Sequence, residues 1–167
     1  TYYKYDALAG GCVWDWVDQS LWKTTDRLGP DGKPVRYLAY GGDFDESPNL
    51  GNFCVNGIVG SDRLVTAKLI EAGHVQHNLV LRDDFTLENR YGFTSANEFS
   101  CDWELLADGV VMERGALVVP PIAPLSSGRL ERPAVKIDGD LEYVLRVNFR
   151  DASGWTVSRN EIVLRDK

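Results

Sequence analysis

Hydrophobic and polar positions alternate with period two over residues 12–17, where Cys12, Trp14 and Trp16 interleave with Val13, Asp15 and Val17. Aromatic and β-branched side chains at that period predict a buried strand, entered through the flexible Gly10-Gly11 pair. Residues 24–52 turn polar and rich in Gly, Pro and Asp, which predicts a long loop. Helical spacing returns at Leu64, Lys68, Leu69 and Ala72, with Asp62 as the expected N-cap and Gly73 as the expected stop. Strand, long loop and helix make one β/α unit.

From Val75 onward the pattern changes to short alternating runs separated by turn residues, at 75–81, 85–91, 99–106, 110–113, 117–119, 129–137, 141–150 and 156–164. That spacing predicts a β-sandwich. The clearest run sets Leu141, Tyr143, Leu145, Val147 and Phe149 on one face, against Glu142, Val144, Arg146, Asn148 and Arg150 on the other. Cys101, Trp103 and Leu105 form a second inward face. Ala107-Asp108-Gly109 and Asp138-Gly139-Asp140 read as hairpin turns in which Gly supplies a positive φ.

A chain of 167 residues that is 44% hydrophobic can bury a sizeable core. Its formal charge of −7 argues against nucleic acid or an anionic membrane surface as partner, since both need clustered Lys and Arg. No apolar run approaches the roughly 20 residues that span a bilayer. Cys12, Cys54 and Cys101 are odd in number and outside any CxxC spacing, so they are expected as buried free thiols. His74 and His77 have no third Cys or His nearby and read as ordinary packing or surface histidines rather than a zinc site. Neither a GxSxG elbow nor a phosphate loop is present, which argues against serine nucleophiles and nucleotide chemistry.

The chemistry concentrates in two places. The indoles of Trp14 and Trp16 offer flat apolar faces suited to a sugar ring, and Asp15 and Asp18 offer carboxylates suited to its hydroxyls. Tryptophans that only pack a core are the alternative. In the loop, Asn49, Asn52 and Asn56 could ligate a hard cation or hold hydroxyls, or could satisfy their own turns.

Gly10-Gly11-Cys12-Val13-Trp14-Asp15-Trp16-Val17-Asp18-Gln19-Ser20, then Ala39-Tyr40-Gly41-Gly42-Asp43-Phe44, then Asn52-Phe53-Cys54-Val55-Asn56-Gly57-Ile58-Val59 and Asp62-Arg63 together resemble the large bacterial β-galactosidases of glycoside hydrolase family 2. The resemblance implies a mainly β chain: residues 1–74 as the C-terminal segment of a TIM barrel, its last β/α unit, and residues 75–167 as an immunoglobulin-like β-sandwich. It also implies a piece of a larger, homo-oligomeric retaining glycosidase acting on β-galactosides, with the remainder of that enzyme as partner. Neither catalytic glutamate of the family matches a position here, so the chain alone is expected to be inactive. What carries over is the floor of a galactose site. Trp14 matches a sugar-facing tryptophan, Asn56 lies near substrate, Phe53 and Asn56 match sodium ligands through a carbonyl and a side chain, and Asn49 matches a magnesium-associated asparagine. A cis peptide between Trp14 and Asp15 is likewise implied. Leu50-Gly51 and Leu64-Val65-Thr66-Ala67 depart from the family pattern. The competing reading is a non-catalytic carbohydrate-binding or structural β-sandwich module, with residues 1–74 as a decorated arm.

Overall fold

The computed structural model describes all residues except 1–3, 6, 52, 138, 166 and 167. The protein divides into two units, Thr1–Ala72 and Gly73–Lys167. The first unit is built on a short parallel pairing. Residues 15–18 run beside residues 56–59, with Ile58 N–H on Asp15 O at 3.0 Å, Val59 N–H on Trp16 O at 2.9 Å and Asp18 N–H on Val59 O at 2.9 Å. The expectation of a buried strand at 12–17 does not hold. Trp14 is 76% and Trp16 60% exposed, because among the described residues this segment has a ladder partner on one side only. Cys12 is exposed and Cys54 half-buried, so the expected burial holds for Cys101 alone, and all three thiols are free as expected.

The expected long loop at 24–52 is also corrected. Its first half folds into a hairpin of β1 (Leu21–Leu28) and β2 (Pro34–Ala39), in which Leu21 pairs with Ala39 and Lys23 with Tyr37. Gly29-Pro30-Asp31-Gly32 is the hairpin turn, closed by Gly29 N–H on Lys33 O at 2.8 Å, with Gly32 at φ 72°. The β-formers Trp22, Thr24, Val35 and Tyr37 flank it, and the density of Gly, Pro and Asp between them hid their alternation. The second half stays irregular around a short 3-10 turn, Gly41–Phe44.

Helix α1 (Ala67–Gln76) starts later and ends later than its sequence signals suggest. Asp62 caps a tight turn instead, accepting from Leu64 N–H at 3.0 Å, and Thr66 Oγ1 takes the helix-capping role by accepting from Leu69 N–H at 3.2 Å. Gly73 is passed without a break, so the strand expected from Val75 begins only at Leu79.

In the second unit, β3 (Leu79–Leu81), β4 (Thr86–Asn89) and β7 (Ser126–Arg129) form one antiparallel sheet. The other has the order β6 (Val110–Leu117), β5 (Ser100–Ala107), β8 (Tyr143–Arg150), β9 (Thr156–Arg165). Leu79, Leu87, Trp103, Leu105, Leu145, Val147 and Phe149 meet in one core. Of the alternation expected over 141–150, Tyr143, Leu145, Val147 and Phe149 are all buried as expected, whereas Leu141 precedes the strand and is exposed, and Asn148 of the opposite face is buried. Burial pushes the Cys101 thiol on the same core up to about 12, with Asp102 adding to it. Asn160 and Ser158 stitch β9 to β3, with Leu81 N–H on Asn160 Oδ1 at 2.9 Å and Ser158 Oγ on Leu79 O at 2.6 Å.

Three strand expectations shift. The runs at 110–113 and 117–119 are one strand, because Gly115 is where the Trp103 ring lies on the backbone; a Cβ there would meet Trp103 Nε1 at 2.8 Å. The run at 129–137 ends as a strand at Arg129. Leu130 N–H turns to Phe85 O at 2.9 Å, and Pro133 lacks the donor a ladder needs. Of the two hairpin turns, Asp108 and Gly109 adopt φ 44° and 80° as expected, whereas Asp138 lies outside the described residues.

His77 shows what the second unit does with a half-buried imidazole. Its Nδ1 is buried without a hydrogen-bond partner among the described residues. Burial first, then the neighbouring His74 and Arg90 charges, push its pKa down to about 4 from 6.5. Between those two values the unfolded chain holds a proton that the folded one refuses, so stability is fully present above about pH 6.5 and falls as pH drops toward 4. Denaturation midpoints of the wild type are expected to fall more across this window than those of His77→Gln. Equal slopes would remove His77 from the acid response.

Candidate functional site

A cleft of about 340 Å³ opens in the first unit, lined by Trp14, Asp15, Gln19, Tyr40, Glu46, Asn49, Phe53, Cys54 and Asn56, among others. Its floor is the parallel pairing described above. Trp14 enters through a cis bond to Asp15, as expected, and leaves its indole largely exposed over the cleft. Asp15 is held on both oxygens: Oδ1 accepts from Trp16 N–H at 2.5 Å and Oδ2 from Gln19 Nε2 at 2.9 Å. These two bonds orient the carboxylate toward its own chain and leave acceptor capacity on each oxygen.

The wall is the irregular segment after β2. Tyr40 and Asp43 close the 3-10 turn reciprocally, with Asp43 N–H on Tyr40 O at 3.0 Å and Tyr40 N–H on Asp43 Oδ2 at 3.2 Å. Lys23 from β1 fixes this turn, donating to Asp43 O and lying 5.0 Å from the centre of the Phe44 ring. Asn49 spends its side chain on its own turn: Oδ1 accepts from Gly51 N–H at 2.8 Å and Nδ2 donates to Glu46 O at 3.0 Å. Asn56 is different. Its backbone N–H donates to Gln19 Oε1 at 3.2 Å and its carbonyl accepts from Asp15 N–H at 3.2 Å. Its side-chain amide has no hydrogen bond among the described residues. Val55, next to it, holds φ 57°, an unusual left-handed setting for a β-branched residue that turns the chain between Phe53 and Asn56.

The structure therefore brings Trp14, Asn49, Phe53 and Asn56 to one cleft, although 35 residues or more separate Trp14 from the others in sequence. Sequence reasoning did not single out Gln19 or Lys23. Both are polar residues on or next to a strand pattern, and only their partners reveal them. As a test of cation chemistry, the Phe53 carbonyl and the Asn56 side-chain oxygen are hard neutral donors without protein partners among the described residues. They fit an alkali ion better than a soft or strongly polarising metal. No group of three His, Cys, Asp or Glu that could hold a metal ion occurs among the described residues. A wider recess of about 440 Å³ between Asp83, Phe85 and Arg132 in the second unit is open and charged. It offers no apolar platform beyond Phe85, which Arg132 already covers at 5.5 Å.

Residues 1–81 match the TIM barrel domain of glycosyl hydrolases family 2, and residues 85–163 match domain 4 of beta-galactosidase. The chain belongs to glycosyl hydrolase family 2. It is 37% identical over 164 residues to a beta-galactosidase of Aeromonas hydrophila subsp. hydrophila, across 93% of this chain and 15% of that protein. It is 31% identical over 180 residues to a beta-galactosidase of Priestia megaterium, across 98% of this chain and 17% of that protein. It thus spans a small part of the length of the family members it matches. Trp14 and Asn56 both fall in the range matched to the barrel domain, which also takes in β3, and strands β4 to β8 fall in the range matched to domain 4. No described helix is long and apolar enough to cross a membrane.

Proposed function

We propose that this chain is part of a retaining β-galactosidase hydrolysing terminal β-D-galactosides, and that it supplies the sugar platform and the cation-binding loop of the active site. The observation that carries this reading is the exposed Trp14 indole at a cleft that also holds the Asn56 amide and the Phe53 carbonyl, neither partnered among the described residues. The apolar face of galactose stacks on Trp14, and the Asn56 amide takes a ring hydroxyl. Phe53 and Asn56 would hold sodium, which when bound supplies a hard positive charge to a sugar hydroxyl. Asn49 is assigned to magnesium through the lone pair its turn leaves over. Residues 1–74 act as the last segment of the barrel and residues 75–167 as an immunoglobulin-like sandwich, in a homo-oligomeric parent enzyme.

Retaining hydrolysis needs two carboxyl groups about 5 Å apart, one as acid and one as nucleophile. Neither is assigned to this chain, although Asp15 and Glu46 both line the cleft, because no family glutamate matches either position. The chain alone is therefore expected to bind galactose without cleaving an aryl β-galactoside. Galactose titration followed by tryptophan fluorescence tests the reading. Trp14→Ala is expected to abolish the response, and sodium is expected to strengthen it. Turnover by the isolated chain would overturn the proposal. A response that survives Trp14→Ala favours a carbohydrate-binding sandwich module, no response at all favours a structural one, and indifference to sodium removes the roles given to Phe53 and Asn56.

A further inference from the structure

We infer that Gln19 is a positioning residue, one that couples the sugar-facing strand to the cation-binding loop; the inference rests on the site reading above. Gln19 lies one residue beyond the strand segment 15–18, and its side-chain amide turns back into the cleft. Nε2 donates to Asp15 Oδ2 at 2.9 Å, and Oε1 accepts from Asn56 N–H at 3.2 Å. The two partners fix the orientation of the amide, because a carboxylate only accepts and a backbone N–H only donates. Asp15 follows Trp14 directly, and Asn56 carries the side-chain amide that has no partner among the described residues. One planar group therefore ties the platform residue's neighbour to the ligand-bearing residue of the facing strand.

Main-chain pairing alone leaves this end of the ladder weak. Only Asp15 N–H on Asn56 O, at a long 3.2 Å, joins the two residues by backbone before the tighter bonds at Ile58 and Val59. Val55, in its left-handed setting, adds a bias for the loop to spring away at the same place. Gln19 opposes that opening from the side chain. No other side chain of this length offers a donor and an acceptor in one rigid plane. Leucine offers neither, and glutamate keeps an acceptor but sets a second carboxylate against Asp15.

The test is amide hydrogen exchange on the isotope-labelled chain, run beside the galactose titration. In Gln19→Leu the Asn56 N–H is expected to exchange roughly tenfold faster and galactose affinity to fall roughly fivefold, the range of one or two hydrogen bonds. The Val59 N–H, bonded to Trp16 O, is expected to keep its protection, which separates local opening from unfolding. In Gln19→Glu the Asn56 N–H is expected to stay protected while affinity still falls, because only the Asp15 half of the clamp is lost. Unchanged exchange at Asn56 in Gln19→Leu, or faster exchange with unchanged galactose affinity, would overturn the inference. A wild-type chain with no Trp14-dependent galactose response defeats the site reading and leaves the inference to the exchange result. The exchange result, independent of sugar, then still reports whether Gln19 holds Asn56.

Discussion

Phe149→Ala is expected to lower the stability of the second unit by about 3–5 kcal/mol, the usual cost of emptying a buried phenylalanine site. Phe149 is fully buried, sits opposite Cys101 on β5 and Ser158 on β9, and is the largest of the completely enclosed side chains. It lies on β8, one of the two inner strands of the four-stranded sheet, where neither neighbour can move inward without breaking a ladder. A domain of this size has a total of about 5–15 kcal/mol, so the loss is a large share of it. Urea unfolding followed by Trp103 fluorescence measures the change, and Phe149→Leu is expected to recover most of it. A loss under about 1 kcal/mol would mean that this sheet does not carry the core.

Gly57→Ala is expected to open the cleft. A Cβ at Gly57 would overlap the Val17 carbonyl carbon and the Asp18 amide nitrogen, and would lie 2.8 Å from Asp18 Cα. These are backbone atoms of the facing strand, with no rotamer by which to yield. The ladder must spread instead, at a cost of at least the 1–3 kcal/mol typical of overpacking. The same residue's carbonyl accepts from Lys68 of α1, whose Nζ lies 4.0 Å from Asp18 Oδ1, so spreading also loosens the helix's hold on this pairing. Galactose affinity is expected to disappear, while protection of the β8 amides in the second unit stays as in the wild type. Retained affinity would show that Trp14 and Asn56 do not need the parallel pairing between residues 15–18 and 56–59.

These two residues mark the limits of what the sequence shows. Phe149 was legible because the run from Tyr143 to Phe149 alternates without interruption, and a period of two has one physical meaning once a sheet has a core on one side. The hairpin turn at Asp108-Gly109 was legible for a similar reason, since Gly at a positive φ is local chemistry. The hairpin at 21–39 was not, because its turn residues are the same types that make a long loop. Nor was the end of α1, where Gly73 tolerates a helix that packing and the Thr66 cap support.

The candidate site divides in the same way. The residue types around Asp15 and Phe53 were legible as motifs specific enough to place the chain in its family, although their indoles were expected in a buried strand. What needed the folded chain is that Trp14 and Asn56 share one cleft, that Asp15 holds Trp16 N–H and Gln19, that the Asn49 side chain serves its own turn while that of Asn56 has no partner among the described residues, and that Gln19 joins the two strands. Residue type fixes what a side chain can donate or accept. Whether it is spent on the protein or left for a ligand depends on partners about 40 positions away, and no local pattern encodes that distance.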